Sequence, residues 1–176
     1  MKKFFAFFLF SFISFSQTNQ LWKGYYSYNE IKDLSYGNHK VVAATENALF
    51  AKNNQTNDIK ISNSIDGFKP EEITSIYYSQ NYGLTFTGNQ NGLLIISKDD
   101  GTIINKVDII NEVPVPPNNK RINHFFEHQE KLYIATSYGI SVLKLSNLEF
   151  EDTFYIGSSG EAISVLQTTV FNNDIY

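Results

Sequence analysis

The stretch KLYIATSYGISVLKL, residues 131–145, holds two short runs of β-branched, aromatic and aliphatic side chains broken by Ser137-Tyr138-Gly139. Runs of this length and make-up, divided by turn chemistry, read as two antiparallel strands. Working outward, residues 122–127 supply a strand before it, joined through the polar turn His128-Gln129-Glu130-Lys131, and residues 151–155 supply a fourth strand after it. The same unit recurs. It starts at Ile31, Ile73 and Ile122 and begins again near Ile163, at separations of 42, 49 and 41 residues. Between the first and third copies no gap is needed: Ala44-Thr45 falls on Ala135-Thr136, and Ala48-Leu49 on Gly139-Ile140. The second copy, with Leu84-Thr85-Phe86-Thr87-Gly88 and then Gly92-Leu93-Leu94, fits with two extra residues.

Four short strands repeating every ~40 to 50 residues is the period of a β-propeller blade. The fold class expected is therefore all-β, a partial β-propeller of about three and a half four-stranded blades over residues 29–176, incomplete at the C-terminus because the fourth copy reaches only Asn172-Asn173-Asp174-Ile175-Tyr176. An open β-sandwich is the alternative, since both folds bury alternating faces of short strands. Gly92 and Gly139 follow second strands, where a tight turn asks for positive φ or close backbone approach. The Ala-Thr pairs suggest a layer of small residues where inner strands crowd around a central channel. Three and a half blades do not close a ring, so the chain reads as the N-terminal part of a longer protein.

Composition narrows the function classes. Fourteen Lys plus Arg against 18 Asp plus Glu, with pI ≈ 5.3, lack the basic footprint of a nucleic-acid binder. The absence of Cys removes disulfides, thiolate metal sites and cysteine nucleophiles. Arg121 is the sole arginine beside 13 lysines, which argues against an arginine-built phosphate site.

The N-terminus reads as an export signal. Met1-Lys2-Lys3 precedes the apolar run FFAFFLFSFISF, and small residues around Ser16 precede the polar Gln17-Thr18-Asn19-Gln20. The run is shorter than the roughly 20 residues a membrane span requires. Residues 1–16 are thus expected to be a signal peptide, and residues 17–28, with Trp22, Tyr25 and Tyr26, a lone strand positioned to latch a closed propeller.

Candidate chemistry is sparse. His124-Phe125-Phe126-Glu127-His128 spells H-x-x-E-H, a zinc-protease pattern that requires both histidines on one helical face. On a strand those residues share a face but lie about 13 Å apart at ~3.3 Å per residue, too far for one metal. The acidic doublets Glu71-Glu72, Asp99-Asp100 and Glu151-Asp152 read as solvated, the last at the start of an outer strand, and none has the further ligands of a calcium loop. The asparagines, 19 in all, could bind a sugar with Trp22 or tyrosines as stacking surfaces, but turns are the simpler use because Asn tolerates left-handed backbone. Val113-Pro114-Val115-Pro116-Pro117 reads as a stiff surface connection lengthening the second repeat. No residue is assigned to catalysis, to a cofactor or to a metal, and the ligand-binding residues stay unassigned.

An export signal running into LWKGYYSYNEIKDLSYGNHKVVAATENALF (residues 21–50), followed by blades such as KLYIATSYGISVLKL, resembles the N-terminal propeller of PorZ-type proteins of the type IX secretion system in Bacteroidetes. The resemblance spans Leu21 to Tyr176, and its blade pattern is shared with two-component-regulator propellers. It implies a parent with two propellers and a C-terminal β-domain. It also implies a non-enzymatic cell-surface role beside a sortase, supporting the anchoring of cargo to anionic lipopolysaccharide. The alternative it leaves open is the periplasmic, oligosaccharide-sensing half of a hybrid two-component regulator. Either way the chain is expected to be exported, to the periplasm or the outer-membrane surface.

Overall fold

The computed structural model describes residues 30–69 and 71–176. The expected signal peptide and the strand at 17–28 lie outside the described residues.

Three four-stranded antiparallel sheets follow one another along the chain. The first holds β1 (Asp33–Gly37), β2 (Lys40–Ala44), β3 (Leu49–Asn53) and β4 (Ile59–Ser62). The second holds β5 (Ile73–Ser79), β6 (Leu84–Asn89), β7 (Leu94–Lys98) and β8 (Ile103–Lys106). The third holds β9 (Ile122–His128), β10 (Lys131–Thr136), β11 (Gly139–Lys144) and β12 (Glu149–Phe154). A two-stranded sheet, β13 (Val170–Phe171) and β14 (Asp174–Ile175), comes last. Each sheet is a meander in which neighbours in sequence pair, and the first strands pack against one another, β1 along β5 and β5 along β9. This is a partial β-propeller, and each sheet is a blade.

Alternation decides what each blade buries. Val42, Ala44 and Leu49 on the first blade meet Ile73, Ile76 and Ile95 on the second. Phe86, Leu94 and Ile96 on the other face of the second blade meet Phe125, Leu132, Ile134 and Leu143 on the third. Cores therefore lie between sheets, so each interface joins residues some 40 to 50 positions apart.

Local turn chemistry matches the repeats. Gly92 (φ 91°) and Gly139 (φ 153°) hold the left-handed backbone that only glycine adopts freely. At Gly139 a Cβ would sit 2.2 Å from the Phe154 carbonyl oxygen, so close strand approach makes the same demand. The Ala-Thr pairs are fully buried. Their threonines lock turns, with the Thr45 hydroxyl donating to the Ala48 carbonyl at 3.1 Å and that of Thr136 to the Gly139 carbonyl at 2.9 Å.

Three expectations need correction. The fourth repeat starts its ladder at Val170, not near Ile163, because a strand pairs only where a partner lies opposite, and β14 covers two residues. Glu151-Asp152 lies in the middle of β12, where Glu151 pairs with Lys131 at 2.7 Å. Within the Val113–Pro117 stretch Val113 is 93% exposed but Val115 is 3% exposed and belongs to the core between the second and third blades, so the segment is anchored as well as stiff.

Candidate functional site

The first turn of every blade lies at one end of the array. Asn38-His39, Gln129-Glu130 and Asn172-Asn173 are two-residue connections with both φ values positive, the hairpin geometry Asn favours. Side-chain amides tie each turn to the next. Asn38 Nδ2 donates to the Tyr78 hydroxyl (2.9 Å) and the Gln80 carbonyl (3.4 Å), Asn81 Nδ2 to Glu127 Oε1 (3.2 Å), and Gln129 Nε2 to Asn173 Oδ1 (2.8 Å). Asn38, Asn81 and Asn173, three of the asparagines that the sequence offered to a sugar, are thus engaged with the neighbouring blade.

Polar side chains also stitch the inner strands. Asp33 Oδ2 accepts from the Ile76 backbone N–H (2.8 Å) and the Ser75 hydroxyl (3.2 Å), while Ser35 Oγ accepts from the Tyr78 N–H (2.8 Å). One blade along, the Tyr77 hydroxyl donates to Glu127 Oε2 at 3.3 Å. Burial first, then the Glu127 charge, pushes the Tyr77 phenol up to about 12.

The H-x-x-E-H segment is strand β9, so the helical face its zinc chemistry requires does not exist. Glu127 instead binds Tyr77 and Asn81 of the preceding blade. His124 Nδ1 and His128 Nε2 are buried without a hydrogen-bond partner. Burial holds His124 below its ordinary value of 6.5, opposed by the Asp33 carboxylate. Among the described residues no group of three or more His, Cys, Asp or Glu is placed to hold a metal.

The acidic doublet Asp99-Asp100 is more than solvated. Lys40 Nζ lies 2.5 Å from Asp99 Oδ1 and 3.9 Å from the centre of the Tyr78 ring, and the Tyr78 hydroxyl donates to Asp99 Oδ2 at 2.9 Å. This cluster closes one side of a cavity of about 250 Å³ between the first and second blades. Its walls include Val42 and Ala51 from the first blade, Thr85 and Ser97 from the second, and Lys60 at the rim. No ion pair within 4 Å engages Lys60 among the described residues, and Ser97 Oγ is buried without a partner. Sequence reasoning missed this site because its residues are scattered over strands of two repeats. Comparing equivalent positions between repeats would have flagged it, since Thr85 and Ser97 stand where the third repeat has leucines.

The chain matches the family model described as the N-terminal β-propeller domain of PorZ of the type IX secretion system, over residues 41–175. No curated protein matches it. Among solved structures it is similar to PorZ of Porphyromonas gingivalis, described as an essential bacterial surface component of the type IX secretion system, at 19% identity and TM-score 0.63, covering 70% of this chain and 16% of that one. It is also similar to the extracellular domain assigned to a hybrid two component system from B. thetaiotaomicron, at 16% identity and TM-score 0.63, covering 83% of this chain and 19% of that one. At these identities the likeness shows the shared propeller fold, and the chain spans a small part of either neighbour.

Proposed function

Because the chain belongs to the PorZ N-terminal β-propeller family, we propose that it forms the first part of a non-enzymatic, extracytoplasmic component of the type IX secretion machinery. In this reading it serves a surface attachment complex, supporting sortase-dependent anchoring of cargo to anionic lipopolysaccharide. The observation that carries the proposal is the family match across residues 41–175, which covers all four sheets except strand β1 and the first residue of β2. Side-chain contacts of the inner strands are made between blades, with Tyr77 bound to Glu127 and Tyr78 to Asn38, as a scaffold would use them. The test is recovery of the full-length protein from its own cells. A sortase or other secretion component should co-purify, and deleting the gene should stop secretion; absence of both effects ends the proposal.

A second reading is favoured by the hybrid two component neighbour, which covers more of this chain at the same TM-score. Here the propeller is the ligand-sensing periplasmic part of a regulator of oligosaccharide use. The complete coding sequence separates the two. A membrane-spanning helix followed by kinase and receiver segments supports the sensor, and a second propeller ending in a β-domain supports the secretion component.

A further inference from the structure

Two connections between blades can be compared within the chain. Residues 63–72 link the first blade to the second, and buried Phe68 is the side chain with which they plug the seam. Residues 107–121 link the second blade to the third, are longer, and plug their seam twice, with buried Ile109 and buried Val115. Between those two plugs the backbone turns outward. The Val115 N–H donates to the Glu112 carbonyl at 3.3 Å, which puts Val113-Pro114 at the tip of a tight turn. Val113 is 93% exposed, and Pro114, Pro116 and Pro117 are exposed beside it. The tip therefore adds nothing to the core, yet its stems are held on both sides. Lys120 Nζ donates to the Ile110 and Glu112 carbonyls, and the Tyr155 hydroxyl donates to Glu112 Oε1 at 2.8 Å, which ties the loop to the third blade. The Asn119 N–H donates to the Pro116 carbonyl at 2.9 Å, and Pro116 itself lies at φ −58° and ψ 145°, in polyproline II geometry. A buried ammonium, a carboxylate and three of the chain's four prolines thus fix the backbone of a segment whose own apolar side chains face water. Holding exposed groups in one conformation lowers the entropy lost when they bind.

The chemistry of the tip selects its partner. Residues 113–119 carry no charge, although 14 basic and 18 acidic side chains are spread along the rest of the chain, so ion pairing cannot hold them. Prolines have no N–H, so a partner cannot pair with them as a strand. What the tip offers is a rigid ridge of C–H surface, the kind of surface that aromatic-lined grooves receive from proline-rich segments. Its position says where that groove must come from. The tip stands over a seam already complete in this chain, where the second and third blades face each other, so closing the ring further along adds nothing there. We propose that Val113-Pro114, with Pro116 and Pro117, is a docking ridge for an aromatic-lined groove on another extracytoplasmic protein. This rests on the proposed function only for the compartment in which that protein is met.

The test is photo-crosslinking of the full-length protein in its own cells, with p-benzoylphenylalanine placed at Val113 in one strain and, in another, at Gln55, an exposed residue of the turn between β3 and β4. Val113 should give an adduct with one other polypeptide that Gln55 does not give. That polypeptide, identified by mass spectrometry and purified, should bind the full-length protein, and Val113→Asp should weaken the binding by about tenfold or more. Pro114→Ser, an exposed change without charge, should weaken it as well, and decides alone if Val113→Asp fails to fold. Because no charge takes part, affinity should stay within about twofold between about 50 and about 500 mM NaCl. The proposal is overturned if Val113 gives no adduct or only those of Gln55, or if the adduct is to a second copy, to a later segment of the same chain or to lipid. Parent-like binding by the variants, or a steep loss of affinity with salt, overturns it too. Whether the polypeptide belongs to the secretion machinery bears on the proposed function alone, whereas the loss of binding in the variants bears on the ridge alone.

Discussion

Lys120 is 5% exposed, and its ammonium is directed at the chain's own backbone. Nζ donates to the Glu112 carbonyl at 2.8 Å and also to the Ile110 carbonyl, so one tethered cation organises the loop that lengthens the second repeat. Lys120→Met keeps the buried aliphatic stem and removes the donor, which isolates the polar contribution from packing. Each orphaned carbonyl costs about 1–3 kcal/mol, while removing a buried ammonium recovers part of its desolvation cost. The net expectation is a loss of about 2 kcal/mol, or a fall of roughly 4–8 °C in thermal midpoint at ~2–4 °C per kcal/mol for a domain of this size. Hydrogen–deuterium exchange locates the damage, and amides of residues 107–120 should lose protection before those of β9 and β10. Unchanged exchange in that loop together with a midpoint within about 1 °C of the parent would refute the assignment, because the carbonyls would then be satisfied without the lysine.

Other outcomes follow from the same geometry. Gly139→Ala places a methyl group against the Phe154 carbonyl at a φ of 153° and should destabilise by more than about 1 kcal/mol, visible as a lower urea midpoint. The phenols of Tyr77 and Tyr155 are each pushed up to about 12 from 10.0, so the stability they contribute is complete below pH 10 and is lost as pH rises toward 12; absorbance at 295 nm should show two tyrosines ionising late, and Tyr77→Phe should remove one. His124, held below 6.5 mainly by burial, works in the opposite direction: its contribution is present above pH 6.5 and is lost as pH falls through its lowered folded value, which an NMR titration of its ring protons follows directly. Leu34 and Tyr36 are 60% and 66% exposed, whereas their repeat equivalents Ile76 and Tyr78 are 5% and 2% exposed against a neighbouring blade. Residues 17–176 expressed alone should therefore self-associate, and a monodisperse monomer by light scattering would show that this face needs no cover.

The strands were legible because they are local facts. Period-2 apolar runs such as those around Lys131–Leu145, with Asn-His, Gln-Glu and Asn-Asn turns, specify hairpins within a dozen residues. What each side chain does was less legible, because every seam joins residues 40 to 50 positions apart. Asp99 looked like a solvated turn residue until Lys40 and Tyr78 were seen to engage it. Thr45 and Thr136 read only as small residues of a crowded layer, and the sequence does not show that their hydroxyls also fasten turns. Lys120 gave no signal at all, since nothing in a proline-rich stretch marks a lysine that serves two carbonyls. The fourth repeat was displaced because an isoleucine alone, without a partner strand, does not set where a ladder begins.

The inner edge of the second sheet has a bearing on what the assembly can recognise. Side chains of Asp33 and Ser35 occupy the backbone N–H groups of Ile76 and Tyr78, the groups an incoming peptide would use to extend that sheet. Strand addition is therefore blocked on that edge by the protein itself. The opposite ends of the sheets, β4, β8 and β12, have no further strand beside them among the described residues. A partner that extends the second sheet by donating a β-strand must approach from the circumference, and on the neighbouring first sheet the circumferential strand β4 presents Ile59 and Ile61 at 63% and 40% exposure. At the inner edge of the second sheet, recognition falls to side chains, and a molecule there is read by its functional groups and not by its backbone.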